Sequence, residues 1–198
     1  MIVLNSYVSQ LRLYEYPSAA MTAQDTTISG QPYGNGAQRA FGSTVLAGAN
    51  QWAAMDKNTT TSWVSDVSKY NTTTGAYVGA LSYTATNTIT YSGEAYVWYT
   101  GLTTVRLRYF AYSITAETTT PTRTPYSWVI LASVAATGPY DLVDTQTNVT
   151  FSAGQTRTFA PNVSVGYYSF RIIITSIAPS NDGSASIAEL KLFSFDTF

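Results

Sequence analysis

The sequence predicts an all-β protein, a sandwich or jelly roll of short strands, and three observations carry that expectation. Threonine and tyrosine dominate, with about 30 threonines and 16 tyrosines, and β-branched and aromatic side chains suit a pleated, half-buried surface. Short apolar or alternating runs recur along the chain with Gly, Pro, Asn and Ser between them, the spacing of a sandwich rather than of βαβ units. No apolar pattern of period 3.6 lasts longer than two turns.

The elements follow in order. Met1-Ile2-Val3-Leu4 opens an N-terminal arm or leading strand over residues 1–17, ended by Pro17; the domain proper is expected over 18–198. Ala19–Ala23 reads as a helical turn or strand and Thr26–Ser29 as a short strand. Gly30-Gln31-Pro32-Tyr33-Gly34-Asn35-Gly36 is a loop by its turn residues. Gln38–Leu46 is a candidate strand, Trp52–Met55 a short apolar turn, and Tyr70–Tyr77 turn chemistry between strands. Ile89–Tyr99 reads as one aromatic strand, and Val105–Tyr112 alternates apolar and polar residues at period two. Glu117–Pro125 is a threonine-rich loop, and Ser127–Ala132 is a continuous apolar run fitting a fully buried strand. Tyr140–Val143 and Thr156–Phe159 are shorter strands. Tyr167–Thr175 is the strongest strand signal, and Ile187–Phe195 closes the fold after the Pro179–Gly183 loop.

Composition narrows the function classes. Hydrophobic residues are 45% of the chain, enough for a large core, while charged residues are only 11% against a usual ~25%. Net charge is −1, so no basic footprint for nucleic acid or an anionic membrane surface is present. Histidine and cysteine are absent, which removes the commonest general base, thiol nucleophiles, disulfides and the usual zinc ligands. No charged segment leads a long apolar run, so no signal peptide is expected, and no apolar stretch approaches membrane-spanning length. Asp141 and Asp144 lie three apart in a strand and so point to opposite faces; no carboxylate pair carries a glycosidase pattern.

The chain is organised around Asp56-Lys57-Asn58-Thr59-Thr60-Thr61-Ser62-Trp63. A carboxylate, an amide and several hydroxyls share one tight loop, and an indole follows at once into the core, an arrangement able to fold around a cation. Trp63, Trp128, Phe170 and Ile172 are assigned to the core. Tyr33, Trp52, Tyr70 and Tyr126, in or beside loops, are candidates to stack on a sugar ring or anchor a protein partner, and Arg123 is a candidate sugar hydrogen-bond donor. Packing for the tyrosines and simple solvation for Arg123 are the competing assignments. Four Asn-X-Ser/Thr sequons, at Asn58, Asn71, Asn148 and Asn162, are read as chance in a chain this rich in Asn and Thr.

Asp56-x-Asn58-x-x-Thr61-x-Trp63 resembles the Asp-Gly-Asn-x-x-Thr-x-Trp signature of the discoidin, or coagulation-factor F5/8 type C, galactose-binding-like family. Ser127–Leu131, Asp144–Asn148, Gly154–Phe159, Tyr168–Ile172 and Ile187–Phe193 resemble later segments of that family in the same order. Lys57 replaces the family glycine in the first motif, where the turn calls for positive φ. Residues 133–138 replace its Ser-Asn-Asp-Gly hairpin, and Tyr140 stands where tryptophan is common. The resemblance implies a discoidin-like jelly-roll β-sandwich behind a short N-terminal arm.

The resemblance also implies a structural calcium ion, Ca2+, held by Asp56, Thr61 and Glu189 with Asn58 as a further candidate; calcium takes six to eight oxygen ligands. The alternative is that Asp56 caps a turn and Glu189 is hydrogen-bonded or solvated. The Thr-, Asn- and Tyr-rich style is similar to discoidin-like domains of large DNA viruses and phages. It implies a non-enzymatic virion structural protein, a minor capsid, decoration or fibre-type component at the capsid surface, contacting other capsid proteins. The second expectation is a calcium-stabilised carbohydrate-binding module, working extracellularly on cell-surface glycans.

Overall fold

Strands that are apolar on one side must bury that side, and here they do so as two antiparallel sheets stacked face to face. The computed structural model describes residues 12–16, 39–99, 109–135, 138–161, 163, 165–167, 169–180 and 182–196. Its strands are β1 (Arg12–Tyr16), β2 (Arg39–Gly42), β3 (Trp63–Val64), β4 (Ser82–Thr84), β5 (Thr90–Ser92), β6 (Glu94–Tyr99) and β7 (Tyr109–Thr115). They continue with β8 (Pro125–Ser133), β9 (Asp141–Gln146), β10 (Thr156–Phe159), β11 (Ser169–Ile177), β12 (Ser186–Ile187) and β13 (Glu189–Asp196). Two 3₁₀ turns, Ala53–Met55 and Pro121–Arg123, sit in the loops. One sheet has the order β1-β13-β7-β10 and the other β2-β6-β11-β8-β9; β12 with β3 and β4 with β5 form two-stranded pairs.

The main core lies between the sheets. Tyr112, Ile114, Leu190 and Leu192 from the four-stranded sheet meet Tyr96, Trp98, Trp128, Ile130, Phe170, Ile172 and Ile174 from the five-stranded one. Trp63, Trp128, Phe170 and Ile172 are all buried, as assigned from the sequence. A second apolar cluster covers the outer face of the five-stranded sheet. Val129, Leu131, Ala95, Val97 and Ile173 pack there against Ala85 and Tyr140, with Tyr83 and Tyr91 from the β4–β5 hairpin. This explains why Ser127–Ala132 is apolar without alternation: both faces of β8 are covered. Arg171 also points to this outer face, its guanidinium 4.1 Å from the ring centre of Tyr140 and 5.5 Å from that of Tyr83.

Several boundaries differ from the sequence expectation. Arg12–Tyr16 pairs in register with β13, from Arg12 opposite Asp196 to Tyr16 opposite Leu192, so over these residues the leading-strand alternative is the one observed, as an edge strand of the sandwich. The remainder of the expected arm, the segments 19–36 and residues 105–108 lie outside the described residues. The strand expected over 38–46 stops at Gly42, because Ser43 and Thr44 turn their hydroxyls to the buried Glu94 carboxylate at 2.6 and 2.7 Å. The strand expected over 89–99 is divided at Gly93, where an added Cβ would stand 2.2 Å from the Ile174 carbonyl oxygen.

Across the core, Trp128 Nε1 donates to Tyr112 Oη at 2.8 Å, and Tyr112 Oη donates to Asp144 Oδ2 at 2.6 Å. The relay joins the two sheets through side chains in a fully buried position of β7. Tyr112→Phe leaves the Trp128 donor without this acceptor and removes a charge-assisted bond, at a cost of about 1–3 kcal/mol. Urea unfolding of this variant is expected to show a lower midpoint with an unchanged slope.

Candidate functional site

The Asp56–Trp63 loop takes its shape from its own side chains. Asp56 Oδ1 accepts from the Asn58 amide at 2.9 Å, an Asx-type turn, and Asp56 Oδ2 accepts from Thr61 Oγ1 at 2.6 Å. The Asn58 carbonyl oxygen accepts from both the amide and the hydroxyl of Thr61, at 3.1 and 2.8 Å. Asn58 Oδ1 is spent on Thr60, whose amide and hydroxyl donate to it at 3.1 and 2.7 Å. Lys57 has φ of 60°, the conformation the family glycine would supply, at a cost of roughly 1–2 kcal/mol for a residue with a Cβ. Its ammonium lies 3.3 Å from Glu15 Oε1, and Lys191 Nζ lies 3.2 Å from the same oxygen. Burial pushes the Glu15 carboxyl up, but these two ammonium groups together hold it below its usual range.

The loop ends in the core. The Trp63 ring is buried, its Nε1 donates to the Thr44 carbonyl at 2.9 Å, and its centroid is 5.2 Å from that of Tyr96. β13 packs against the 3₁₀ turn that precedes the loop, and Glu189 is its first residue. Glu189 is 1% exposed, and neither carboxylate oxygen has a hydrogen-bond partner among the described residues. Burial, reinforced by the negative charge of Asp56, pushes the Glu189 carboxyl up to about 8. The Tyr96 hydroxyl is likewise buried without a partner among the described residues, and burial with Glu189 and Asp56 nearby raises its pKa.

Of the expected cation ligands, the structure therefore joins Asp56 and Thr61 directly and sets the Glu189 charge beside Asp56. It directs the side-chain oxygen of Asn58 elsewhere. Among the described residues no three His, Cys, Asp or Glu side chains form a metal-ligating group. A cation here would therefore rest on two carboxylates, with hydroxyl and backbone oxygens completing the shell. That donor set is all oxygen and suits calcium; the unpartnered Glu189 carboxylate is the feature that a divalent cation would satisfy.

The expected ligand contacts separate. Tyr70 is corrected: it is 1% exposed, its hydroxyl donates to the Ile174 carbonyl at 2.9 Å, and its ring meets Tyr77 edge-on, so it is a core residue. Trp52 is half-buried against the main core. Tyr33 lies outside the described residues. Arg123 is tied into a polar cluster: its Nη2 and Nε reach both oxygens of Asp182, the latter at 3.3 Å, and its Nη1 is 4.0 Å from Glu117 Oε2. Ser62 Oγ and Thr120 Oγ1 each donate to the same Glu117 carboxylate. Asp182 is fixed in turn by the Ser184 amide at 3.2 Å and by Gly183, whose φ of 64° and close approach to the Tyr70 carbonyl exclude a side chain.

Beside this cluster, Tyr126 opens onto a cavity of about 120 Å³ lined by Pro121, Thr122, Thr124, Val149, Thr150 and Phe151 among others. Arg157 lies over the Phe151 ring at 5.8 Å and donates to the Thr150 carbonyl at 2.9 Å. Glu117 and Asp182 were not foreseen. In a chain with 11 acidic residues, a glutamate set among threonines in a loop was the available signal.

No protein-family model and no curated protein sequence matches the chain. Solved structures do. The family 32 carbohydrate-binding module of NanJ from Clostridium perfringens, in complex with galactose, superposes with a TM-score of 0.55 at 20% identity, over 79% of this chain and 93% of that one. The fold is the discoidin-like β-sandwich. A second such module, CBM32-5 of CpGH89 from the same organism, in complex with GalNAc-β-1,3-galactose, gives a TM-score of 0.55 at 15% identity, over 78% of this chain and 94% of that one. A fucolectin from striped bass serum covers 81% of this chain and 46% of its own, with a TM-score of 0.54 at 12% identity. At these identities the likeness establishes the discoidin-like fold.

The Glu189 carboxyl sets a pH dependence. Its folded-state pKa of about 8 lies above its ordinary 4.5, so the folded chain holds this proton more tightly than the unfolded chain. The stability it contributes is complete below about 4.5 and is lost as pH rises through about 8. Thermal melts in EGTA are expected to show a loss of Tm between pH 5 and 8 that Glu189→Gln removes. A cation held there would displace the proton, so any gain in Tm from added calcium should grow across the same interval.

Proposed function

We propose that this protein is a non-catalytic glycan-binding module whose Asp56–Trp63 loop is stabilised by calcium. Three facts support the glycan reading. The structural neighbours named above are carbohydrate-binding modules solved with galactose and GalNAc-β-1,3-galactose, and a fucolectin. The described loops carry an aromatic-walled cavity, with Tyr126 and Phe151, whose lining residues Thr122 and Thr124 flank Arg123 in the chain, itself paired with Asp182. Sugar recognition needs an apolar ring face on an aromatic and polar groups that exchange hydrogen bonds with hydroxyls. Arg123 supplies donors and Asp182 acceptors, and their side chains keep 22% and 27% of their surface exposed.

The observation that carries the reading is this cavity, walled by Tyr126 and Phe151. At about 120 Å³ it is smaller than the roughly 300–1,000 Å³ of an enclosing ligand pocket, so it would take one edge of a sugar rather than swallow it. Within the cation loop, Asp56, Thr61 and Glu189 would hold calcium, with Asn58 contributing its backbone. The ion would neutralise the two facing carboxylates and fix the loop on β13. Asp141 and Asp144 belong to separate hydrogen-bond groups, with Thr86 and Tyr167 for one and Tyr112 for the other, which fits binding without catalysis. None of the neighbours named above is a virion protein, and the capsid-assembly expectation is not carried forward. A glycan-binding role places the work of the module outside the cell, at a glycan-bearing surface.

Isothermal titration with galactose and with N-acetylgalactosamine tests the proposal. Binding is expected for the native chain, and Tyr126→Ala is expected to weaken it about tenfold or more, the size of an aromatic contact worth over 1.4 kcal/mol. Absence of binding to a broad glycan array would reject the reading.

A further inference from the structure

Glu117 is 7% exposed and stands between two loops that the chain order keeps apart. On one side it accepts from Ser62, the residue between Thr61 and Trp63 in the cation loop. On the other it accepts from Thr120 and faces Arg123, which closes the 3₁₀ turn Pro121–Arg123 along the cavity. The turn itself has no side-chain cap and no buried residue. Apart from its own backbone bonds, Arg123 N to Thr120 O and Thr124 N to Pro121 O at 3.1 Å, the turn is held by what Glu117 and Asp182 provide.

Both ends of the link are fixed to the framework. The Glu117 carbonyl accepts from the Gly154 amide at 3.2 Å, and Thr115, the last residue of β7 two positions before it, pairs with Glu189 on β13. Thr61, next to Ser62, holds Asp56. Order imposed on the Asp56 loop therefore has a continuous hydrogen-bonded route to the cavity rim, through Thr61, Ser62, Glu117 and then Thr120 with Arg123.

We infer that Glu117 is a positioning residue through which cation binding at the Asp56 loop orders the Pro121–Arg123 turn and so prepares the sugar-binding edge. This rests on the glycan and cation reading above and deepens it: the cation would act on recognition as well as on stability. The physical basis is that a buried carboxylate with its acceptors engaged cannot release one partner without an unfavourable unpaired charge, so its two loops order together. Removing the Ser62 hydroxyl should uncouple them without touching either the cation ligands or the cavity wall.

Hydrogen–deuterium exchange on the full chain, in calcium chloride and in EGTA, reads the coupling directly. In the native chain calcium is expected to slow exchange across 56–61 and, by about fivefold or more, across 118–126. Ser62→Ala is expected to keep the slowing at 56–61 and the calcium-induced rise in Tm, and to lose the slowing at 118–126. Thr120→Val, which removes the hydroxyl contact on the other side of Glu117 and leaves Arg123 facing it at 4.0 Å, should weaken the slowing at 118–126 if Ser62→Ala proves unstable. Calcium protection of 56–61 with no change at 118–126, or protection at 118–126 that survives both substitutions, would overturn the inference alone. If calcium alters neither segment nor Tm, the cation reading falls with it. Intact coupling without sugar binding by titration would support the link and reject only the glycan reading.

Discussion

A buried carboxylate must find donors or a counter-charge, and this chain buries three of its four glutamates. Two of them find donors, and the third does not among the described residues. Glu94 gathers the hydroxyls of Ser43, Thr44 and Tyr77, which curls the chain after β2 and fastens the Tyr70–Tyr77 turn to the five-stranded sheet. Glu117 gathers two hydroxyls and a guanidinium, and holds the loops at one end of the sandwich together. Glu189 finds neither among the described residues and faces Asp56 instead. Glu94 and Glu117 thus fix loops to distant parts of the chain through hydrogen bonds that loop propensity alone does not supply.

The aromatic content serves the same economy. With 11% charged residues, the chain has few ion pairs to spend, and its tyrosines and tryptophans provide both bulk and a polar end. Trp128 donates to Tyr112 and Tyr112 to Asp144, which spans the core, and Tyr70 anchors a turn to β11 by its hydroxyl. Arg171 is housed on the outer face by the rings of Tyr140 and Tyr83. In place of the tryptophan common in the family, Tyr140 keeps a ring that can cover this guanidinium. Aromatic residues that look like ligand platforms in sequence are thus largely committed to holding the sheets.

Lys57 stands in a left-handed turn as the family pattern requires, and the loop tolerates it while its ammonium meets Glu15 on β1. The leading strand and the substituted glycine are therefore one local adjustment: the edge strand brings the carboxylate that the lysine uses. Tyr126 remains at a cavity while Tyr70, of similar loop context, is sealed in the core. The difference is the long-range contact of Tyr70, whose hydroxyl reaches the Ile174 carbonyl and whose backbone carbonyl is closely approached by Gly183, and nothing in a tyrosine's immediate sequence records that approach.

By itself the sequence determined the fold class, most strands and the Asp56-to-Trp63 loop, because these rest on local chemistry: β-branched and aromatic periodicity, turn residues, and an acid placed to cap its own turn. It also placed Trp63, Trp128, Phe170 and Ile172 in the core. Only the tertiary structure decided that residues 12–16 join the sheet through β13 and that both faces of β8 are covered. It alone brought Glu117 between Ser62 and Arg123, and Glu189 beside Asp56. Ser62 and Glu117 lie 55 positions apart in the chain, and contacts of that range are set by strand order and register, which no local pattern of side chains encodes.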